Sequence, residues 1–459
     1  MLARQVWSAL TALSLAVSSV PALAAPTPAK PKVVTINPAT LRSYVVHNNY
    51  GVMESLNLIH QAKDQVDIAR GRLLPSLNLG AIISGITAGP AFALTSISFL
   101  LPFLLPSNWA NLHQNEDLLE SQKIGFRLVE LNNYAQAYAL YETILSDIAL
   151  REVLVTEYND LVYVRDWLIG QQHFIGNITQ SDIDNADAQV NLARVNLSAL
   201  DETLIRERAS LRQFLALDLN ANIVLDNVHV AASPGEALDL AHLVGKVQAV
   251  APENAQMVWM VKAAQEQRFS KEFGFLSGGN LNVGVTNGSP NFGNLSLGGG
   301  FNIGFDYVPT INLANDNIAN LQLHGKELLS TEQQLVEATL GSVAQAKIQL
   351  DAASKAEAEL IGVAQDEFQK YSLGHSDLLH VFDSEKAAAQ ATASKVKAQL
   401  DLDQLRVTMH RELLTDQFAG IPGCVIKAAA EEKDKNWLGR LFSPKDYSIS
   451  IDEACAPAN

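Results

Sequence analysis

A mainly α-helical chain with a small β part is predicted. Long coiled-coil helices would form one share of an oligomeric helical barrel, and two β-hairpins one share of a β-barrel. Three observations predict this: two windows empty of charge, helical segments with a seven-residue apolar beat, and a plan that runs along the chain twice.

The N-terminus reads as an export signal. Arg4 precedes an apolar run over residues 9–20, and Ala22, Leu23 and Ala24 form a small-x-small cleavage site. The run is short for a membrane span, and Pro21 would interrupt one. The mature chain is expected to start near Ala25, without a lipid-bearing cysteine. With 33 basic and 49 acidic residues the net charge is −16, which argues against nucleic acid as a partner and against a polybasic membrane-surface binder. Cys424 and Cys455 are the only cysteines; in an oxidising compartment they are expected to pair, the alternative being two free thiols.

Between Arg72 and Glu116, and again between Glu272 and Asp306, there is no Asp, Glu, Lys or Arg. In the second window Leu281, Val283 and Val285 alternate with Asn282, Gly284 and Thr286. Asn287, Gly288, Ser289 and Pro290 read as a turn. A return strand alternates Leu295, Leu297, Gly299, Phe301, Ile303, Phe305 and Tyr307 with Gly and polar residues. Apolar outside and uncharged polar inside is the pattern of a membrane β-strand, although a soluble half-buried hairpin also alternates. The first window is apolar on both faces in part; Gly89, Pro90 and Pro102 cut it, so a hairpin turning near Gly89 fits better than a spanning helix.

Long helices follow each window. Ile124, Leu131, Tyr138 and Leu145 recur every seventh residue in the first. Ile183, Val190, Leu197, Leu204 and Leu211 hold one heptad position of the next helix, with Ala186, Ala193, Leu200 and Phe214 at the other and Glu207 as its exception. Leu329, Val336, Val343 and Leu350 keep the beat in the second half. Gly176 and Gly374 fall in corresponding helical turns, and the same separation divides Asp218 from Asp416, so the plan is a duplication. The expected organisation is a signal peptide at 1–24, a first structural repeat at 25–216 with its hairpin about 76–104, and an inter-repeat linker at 217–250. A second repeat follows at 251–416 with its hairpin about 280–308, and then a tail at 417–459.

Four membrane strands per chain do not close a barrel, and an open sheet edge in lipid leaves backbone groups unpaired. The chain is therefore expected to oligomerise; three copies would give a 12-stranded barrel, and counting alone leaves two or four open.

These residues resemble the outer-membrane efflux protein family, TolC type. The resemblance covers nearly all of the chain from the signal to about Asp416. It rests on Arg70, Arg72, Leu74, Pro75 and Leu77 at the step from helix to strand. It rests also on Phe174, Ile175, Gly176, Ser181, Asp182 and Ile183 at the first helical turn, and on Tyr371, Ser372, Leu373, Gly374, Leu378, Leu379, Val381, Phe382 and Asp383 at the second.

The resemblance implies a homotrimer in the outer membrane, contacting its lipid, with the helices in the periplasm of a Gram-negative cell. Its role would be that of a passive exit duct for efflux or type I secretion, joined to a periplasmic adaptor (membrane fusion) protein and an inner-membrane pump or ABC transporter. By resemblance Gly176, Asn177, Gly374 and His375 are adaptor contacts, His380 and Asp383 line the pore constriction, and Asp182 with Tyr371 forms an entrance latch. Departures are His380 in place of an acid, Ser376 in place of a basic latch residue, and no Gly-Gly after the second strand of either pair. A non-conducting periplasmic scaffold with a reduced barrel is the alternative reading.

No nucleophile elbow, phosphate loop or metal signature is found, so neither an enzyme nor a cofactor is expected. Gly298, Gly299 and Gly300 lie inside an alternating strand rather than before a helix. His375 and His380 are poorly spaced for one metal ion.

Overall fold

The computed structural model describes residues 33–73, 103, 105–172, 178–278, 280–286, 289–298, 305–421, 423, 425–426 and 455–456. The signal peptide at 1–24 lies outside the described residues, as do the first hairpin apart from Phe103, the turn residues Gly176 and Asn177, and Cys424.

The chain runs β1 (Val33–Ile36), α1 (Pro38–Asn48), α2 (Tyr50–Leu73), α3 (Pro106–Gln171), α4 (Gln180–Phe214), β2 (Asn222–Leu225), α5 (Leu240–Val250) and α6 (Pro252–Glu272). It continues with β3 (Asn280–Thr286), β4 (Ser289–Gly298), α7 (Tyr307–Ser372), α8 (Leu378–Leu413), β5 (Val425–Ile426) and β6 (Cys455–Ala456). Helices α3 and α7 have 66 residues each. At the usual rise per residue each is about 100 Å long. The shorter α4 and α8 have 35 and 36 residues.

No single short helix can cover one so long, so pairs of them stack end to end. Helix α3 packs against α2 and α4 on one side and α6 and α8 on the other, and α7 packs against α6 and α8. The order across the sheet of helices is thus α2 with α4, then α3, then α6 with α8, then α7. Asn49 makes the first junction. Its Oδ1 caps α2 by accepting from the Gly51 and Val52 N–H groups at 2.9 and 3.2 Å, while its Nδ2 donates to the Phe214 carbonyl at the end of α4 at 2.9 Å. At the second junction Arg411, in the last turn of α8, pairs with Glu253 in the first turn of α6.

Heptad positions are buried as the periodicity predicts. Ile183, Val190, Leu204, Leu211, Ala186 and Ala193 are buried on α4, Leu131 and Tyr138 on α3, and Val336 and Val343 on α7. Ile124, Leu145, Leu197 and Leu350 are only half-buried, and Leu329 is exposed.

The main core lies midway along the helices. Ile36, Leu41 and Val45 meet Tyr134, Tyr138 and Tyr141 of α3, Leu204 and Leu211 of α4, and Phe418 and Ile421 beyond α8. A parallel β1–β2 pair, Val33 opposite Asn222 through Ile36 opposite Leu225, closes this belt. The buried tyrosines keep their hydroxyls satisfied: Tyr134 donates to the Pro38 carbonyl at 3.1 Å and Tyr141 to the Asp226 carbonyl. Phe418 stacks edge-on to Tyr134 at 4.8 Å and is fully buried. Phe418→Ala is expected to destabilise the chain by about 3–5 kcal/mol. A loss below about 1 kcal/mol in denaturant unfolding would show that this clasp is dispensable.

Strands β3 and β4 are antiparallel. Leu281 faces Leu297 and Val283 faces Leu295, while Asn280 faces Gly298 and Asn282 faces Ser296. The register thus sets apolar residues opposite apolar ones over Leu281–Val283, and it is broken by a bulge between Val283 and Val285. The turn expected to include Ser289 and Pro290 does not include them: both belong to β4, where they pair with Thr286 and Val285. The return strand expected to reach Tyr307 does not do so: Phe305 and Asp306 form a turn and Tyr307 opens α7. A tertiary contact decides this. The Tyr307 hydroxyl donates to the Glu272 carbonyl at 2.8 Å and its ring packs on Phe275, which ties the start of α7 to the end of α6. Among the described residues no helix is long and apolar enough to cross a membrane.

Candidate functional site at the tip of the helical hairpins

The ends of α3 and α7 farthest from β3 and β4 meet the starts of α4 and α8. A separate apolar cluster holds them there: Leu161, Val164 and Leu168 of α3, Ile183, Ala186 and Val190 of α4, and Leu378, Val381 and Phe382 of α8. Trp167 locks α3 to α7, with ring centroids 6.1 Å from Phe368 and 5.5 Å from Tyr371. Trp167 and Phe368 escaped sequence reading because nothing local marks an aromatic as a bridge between two helices. The tip is thus a small core of its own, about a helix length from the belt.

The second turn is built by Gly374. At φ +79° it adopts the left-handed conformation, so its N–H reaches the Tyr371 carbonyl at 2.9 Å and the His375 N–H reaches the Lys370 carbonyl at 2.8 Å. These two bonds terminate α7 in a Schellman arrangement, which favours glycine. Asp377 then caps α8 by accepting from the His380 N–H at 2.9 Å. Gly374 and His375 are exposed at this point.

His380 and Asp383, three apart on α8, both face outward from the tip core, where Val381 and Phe382 point inward. His380 Nδ1 lies 3.3 Å from Asp377 Oδ1, so its nearest acid is its own helix cap rather than Asp383. Asp182 occupies the third residue of α4. Its carboxylate accepts from the Thr179 N–H and hydroxyl, both at 2.8 Å, in a capping box. Tyr371 is half-buried. Burial, and then the Asp182 charge, push its phenol above the ordinary range, so the pair expected to form a latch lies within electrostatic reach. Ser376 donates to Glu367 at 2.8 Å, and Lys370 bonds the other oxygen of that carboxylate at 2.8 Å; hydrogen bonds to both hold the Glu367 carboxyl below its ordinary range. Among the described residues no group of three or more His, Cys, Asp or Glu side chains is placed to hold a metal ion.

The edges of the helical sheet are unpartnered. On α4 Leu192, Val195 and Ile205 are 57%, 63% and 66% exposed; on α7 Leu313, Leu323 and Ile348 are 70%, 61% and 61% exposed.

The described residues thus form long paired helices around a mid-level belt, with the Gly374 turn at the tip and the β3–β4 hairpin at the far end. The likeness to solved structures is extensive. The CmeC outer membrane channel of Campylobacter jejuni aligns over 84% of this chain and 88% of its own, at TM-score 0.63 and 11% identity. VceC, an outer membrane protein of Vibrio cholerae, aligns over 84% of this chain and 96% of its own, at TM-score 0.62 and 11% identity. The open state of the MtrE outer membrane channel of Neisseria gonorrhoeae aligns over 82% and 88%, at TM-score 0.57 and 13% identity. No protein-family model and no curated protein matches the sequence itself. At such identities the likeness establishes the fold.

Proposed function

We propose that this chain is one third of an outer-membrane exit duct for efflux or type I secretion, with its helices in the periplasm. In this reading it works passively, without catalysis, together with a periplasmic adaptor and an inner-membrane transporter. The observation that carries the proposal is the pair of unpartnered apolar edges, α4 on one side of the helical sheet and α7 on the other. Edge α4 of one copy against edge α7 of the next is a heterologous contact that closes into a ring. The alternating β3–β4 hairpin at the end opposite the tip supplies strands to a shared barrel. The duplicated plan is supported by two long helices of equal length, each followed by a helix of nearly equal length.

Purified full-length protein in a planar bilayer should conduct ions. A non-conducting scaffold would leave the bilayer silent and would fractionate away from the outer membrane. The tip residues Gly176, Asn177, Gly374 and His375 are proposed to meet the adaptor, Asp182 and Tyr371 to hold the entrance, and His380 with Asp383 to ring the constriction. Asp377 Oδ1 stands 3.3 Å from the His380 ring. His380→Asp is expected to raise cation selectivity. Equal selectivity in parent and variant would mean that His380 does not line the pore.

A further inference from the structure

Three helix ends meet at one level beside the β3–β4 hairpin. In the second turn of α3, Asn111 Oδ1 accepts from the hydroxyl of Ser270, near the end of α6, at 2.9 Å. Tyr307 ties the start of α7 to the end of α6: its hydroxyl donates to the Glu272 carbonyl at 2.8 Å, and its ring lies edge-on to Phe275 with centroids 6.0 Å apart.

Large aromatic side chains stand uncovered at this level. Phe305 is fully exposed, Phe103 is 51% exposed, Phe269 41% and Trp109 36%. Phe103 and Phe305 hold equivalent places in the two halves, each just ahead of a 66-residue helix. Trp109 and Phe269 belong to α3 and α6, which lie inside the sheet of helices, so a neighbouring copy on either edge does not cover them. Apolar rings left in water gain nothing from folding, and a group of them marks a surface that meets something else.

The polar atoms of this group are already satisfied. Trp109 Nε1–H donates to the Phe103 carbonyl at 2.8 Å, and the two rings meet edge-on with centroids 5.3 Å apart. With that bond made inside the chain, the indole leaves water without stranding its donor. Charges close by are paired: Arg70 with Glu116 at 3.0 Å, and Arg268 with Glu272 at 2.8 Å. Lys271 is exposed at the end of α6, where a long basic side chain can reach a phosphate while its stem lies along apolar surface.

Aromatic rings with satisfied polar atoms, next to a hairpin of alternating strands, match the boundary between lipid headgroups and acyl chains. We infer that Phe103, Trp109, Phe269 and Phe305 form a collar that sits in the phospholipid interface of the periplasmic leaflet. The first turn of α3 and the last turn of α6 are then membrane contacts, and the helical part does not stop short of the bilayer. This rests on the outer-membrane reading and adds to it the depth at which the chain is held.

The test is tryptophan quenching by brominated phosphatidylcholine in vesicles that carry the full-length protein. One variant keeps Trp109 as the sole tryptophan of residues 25–459, with Trp167, Trp259 and Trp437 changed to Phe. A second keeps only Trp167, at the tip, by the same kind of exchange. A third has Phe305→Trp with all four of those tryptophans changed to Phe, and it reports on the collar independently of Trp109. Lipid brominated high on the acyl chain is expected to remove at least about half of the emission from Trp109 and from the tryptophan at 305. Lipid brominated near the chain end should remove less, and Trp167 should be unaffected by either. Protein that floats with the vesicles while both collar positions keep their emission would overturn the collar and leave the duct reading standing. Protein that does not float with the vesicles would overturn both.

Discussion

If three copies close into the proposed ring, replacing Leu192 and Val195 of α4 with glutamate is expected to leave the detergent-solubilised protein as monomers. The two side chains lie three apart and share the exposed face of an edge helix. In a single chain they meet solvent, so the change costs the monomer little and helical content should stay as in the parent. In the ring they would face the next copy's α7 at the same distance from the tip, where Ile361 and Val363 are exposed. Two unpaired carboxylates in a dry interface cost several kcal/mol each, and symmetry repeats that cost at every contact. Multi-angle light scattering in detergent reads the outcome directly. A variant that keeps the parent's mass would place the contact elsewhere and remove the main support for the ring.

Stability is expected to fall as pH rises from about 5 to about 8, against the trend of most proteins. The reason is a set of carboxyl groups sealed between helices with too few partners. Burial is the largest cause at each: it pushes Glu130 and Glu142 up to about 8, and Glu207 and Glu412 up to about 7. Raised folded-state values mean that the native chain holds protons that the unfolded chain has released. The stabilisation is therefore present below the ordinary glutamate value and is lost as pH climbs through the folded values.

Glu130 offers the sharpest test within this set. It is 1% exposed, and its Oε2 has no hydrogen-bond partner among the described residues. Only the Gly423 N–H and the Arg127 charge moderate the burial penalty, and Gly423 can present that N–H because it adopts φ +73°. Glu130→Gln should raise stability at pH 8 by roughly 2–4 kcal/mol and change it little at pH 5. Denaturant midpoints at the two pH values decide the matter. A parent protein that grows more stable toward pH 8, or a variant shifted equally at both, would show these groups to be hydrated or paired.

The tail illustrates how far local sequence reaches. Its first residues turn back onto the middle of the helices, where Phe418 and Ile421 are buried in the belt. Farther on, Ile426 faces Cys455 across the β5–β6 pair, while Cys424 lies outside the described residues, and the proposed disulfide remains a matter for thiol labelling. Nothing in residues 416–426 alone says that they end on α3. That contact depends on Tyr134, which presents a ring edge to Phe418.

What the sequence determined by itself is whatever repeats within a few residues. A heptad needs only the helical period, so Ile183, Val190, Leu204 and Leu211 announced both the helix and its buried face. A strand needs only alternation, so Leu281, Asn282 and Val283 announced β3 in advance. Tertiary structure alone decided the β1–β2 pairing, the Asn49 bridge from α2 to α4, the turn at Phe305 and Asp306 before α7, and the burial of Glu142. Each joins segments far apart in the chain, and a side chain carries no local mark of the distant surface that will desolvate it. Glu142 reads as an ordinary helical glutamate until α8 and the linker close over it.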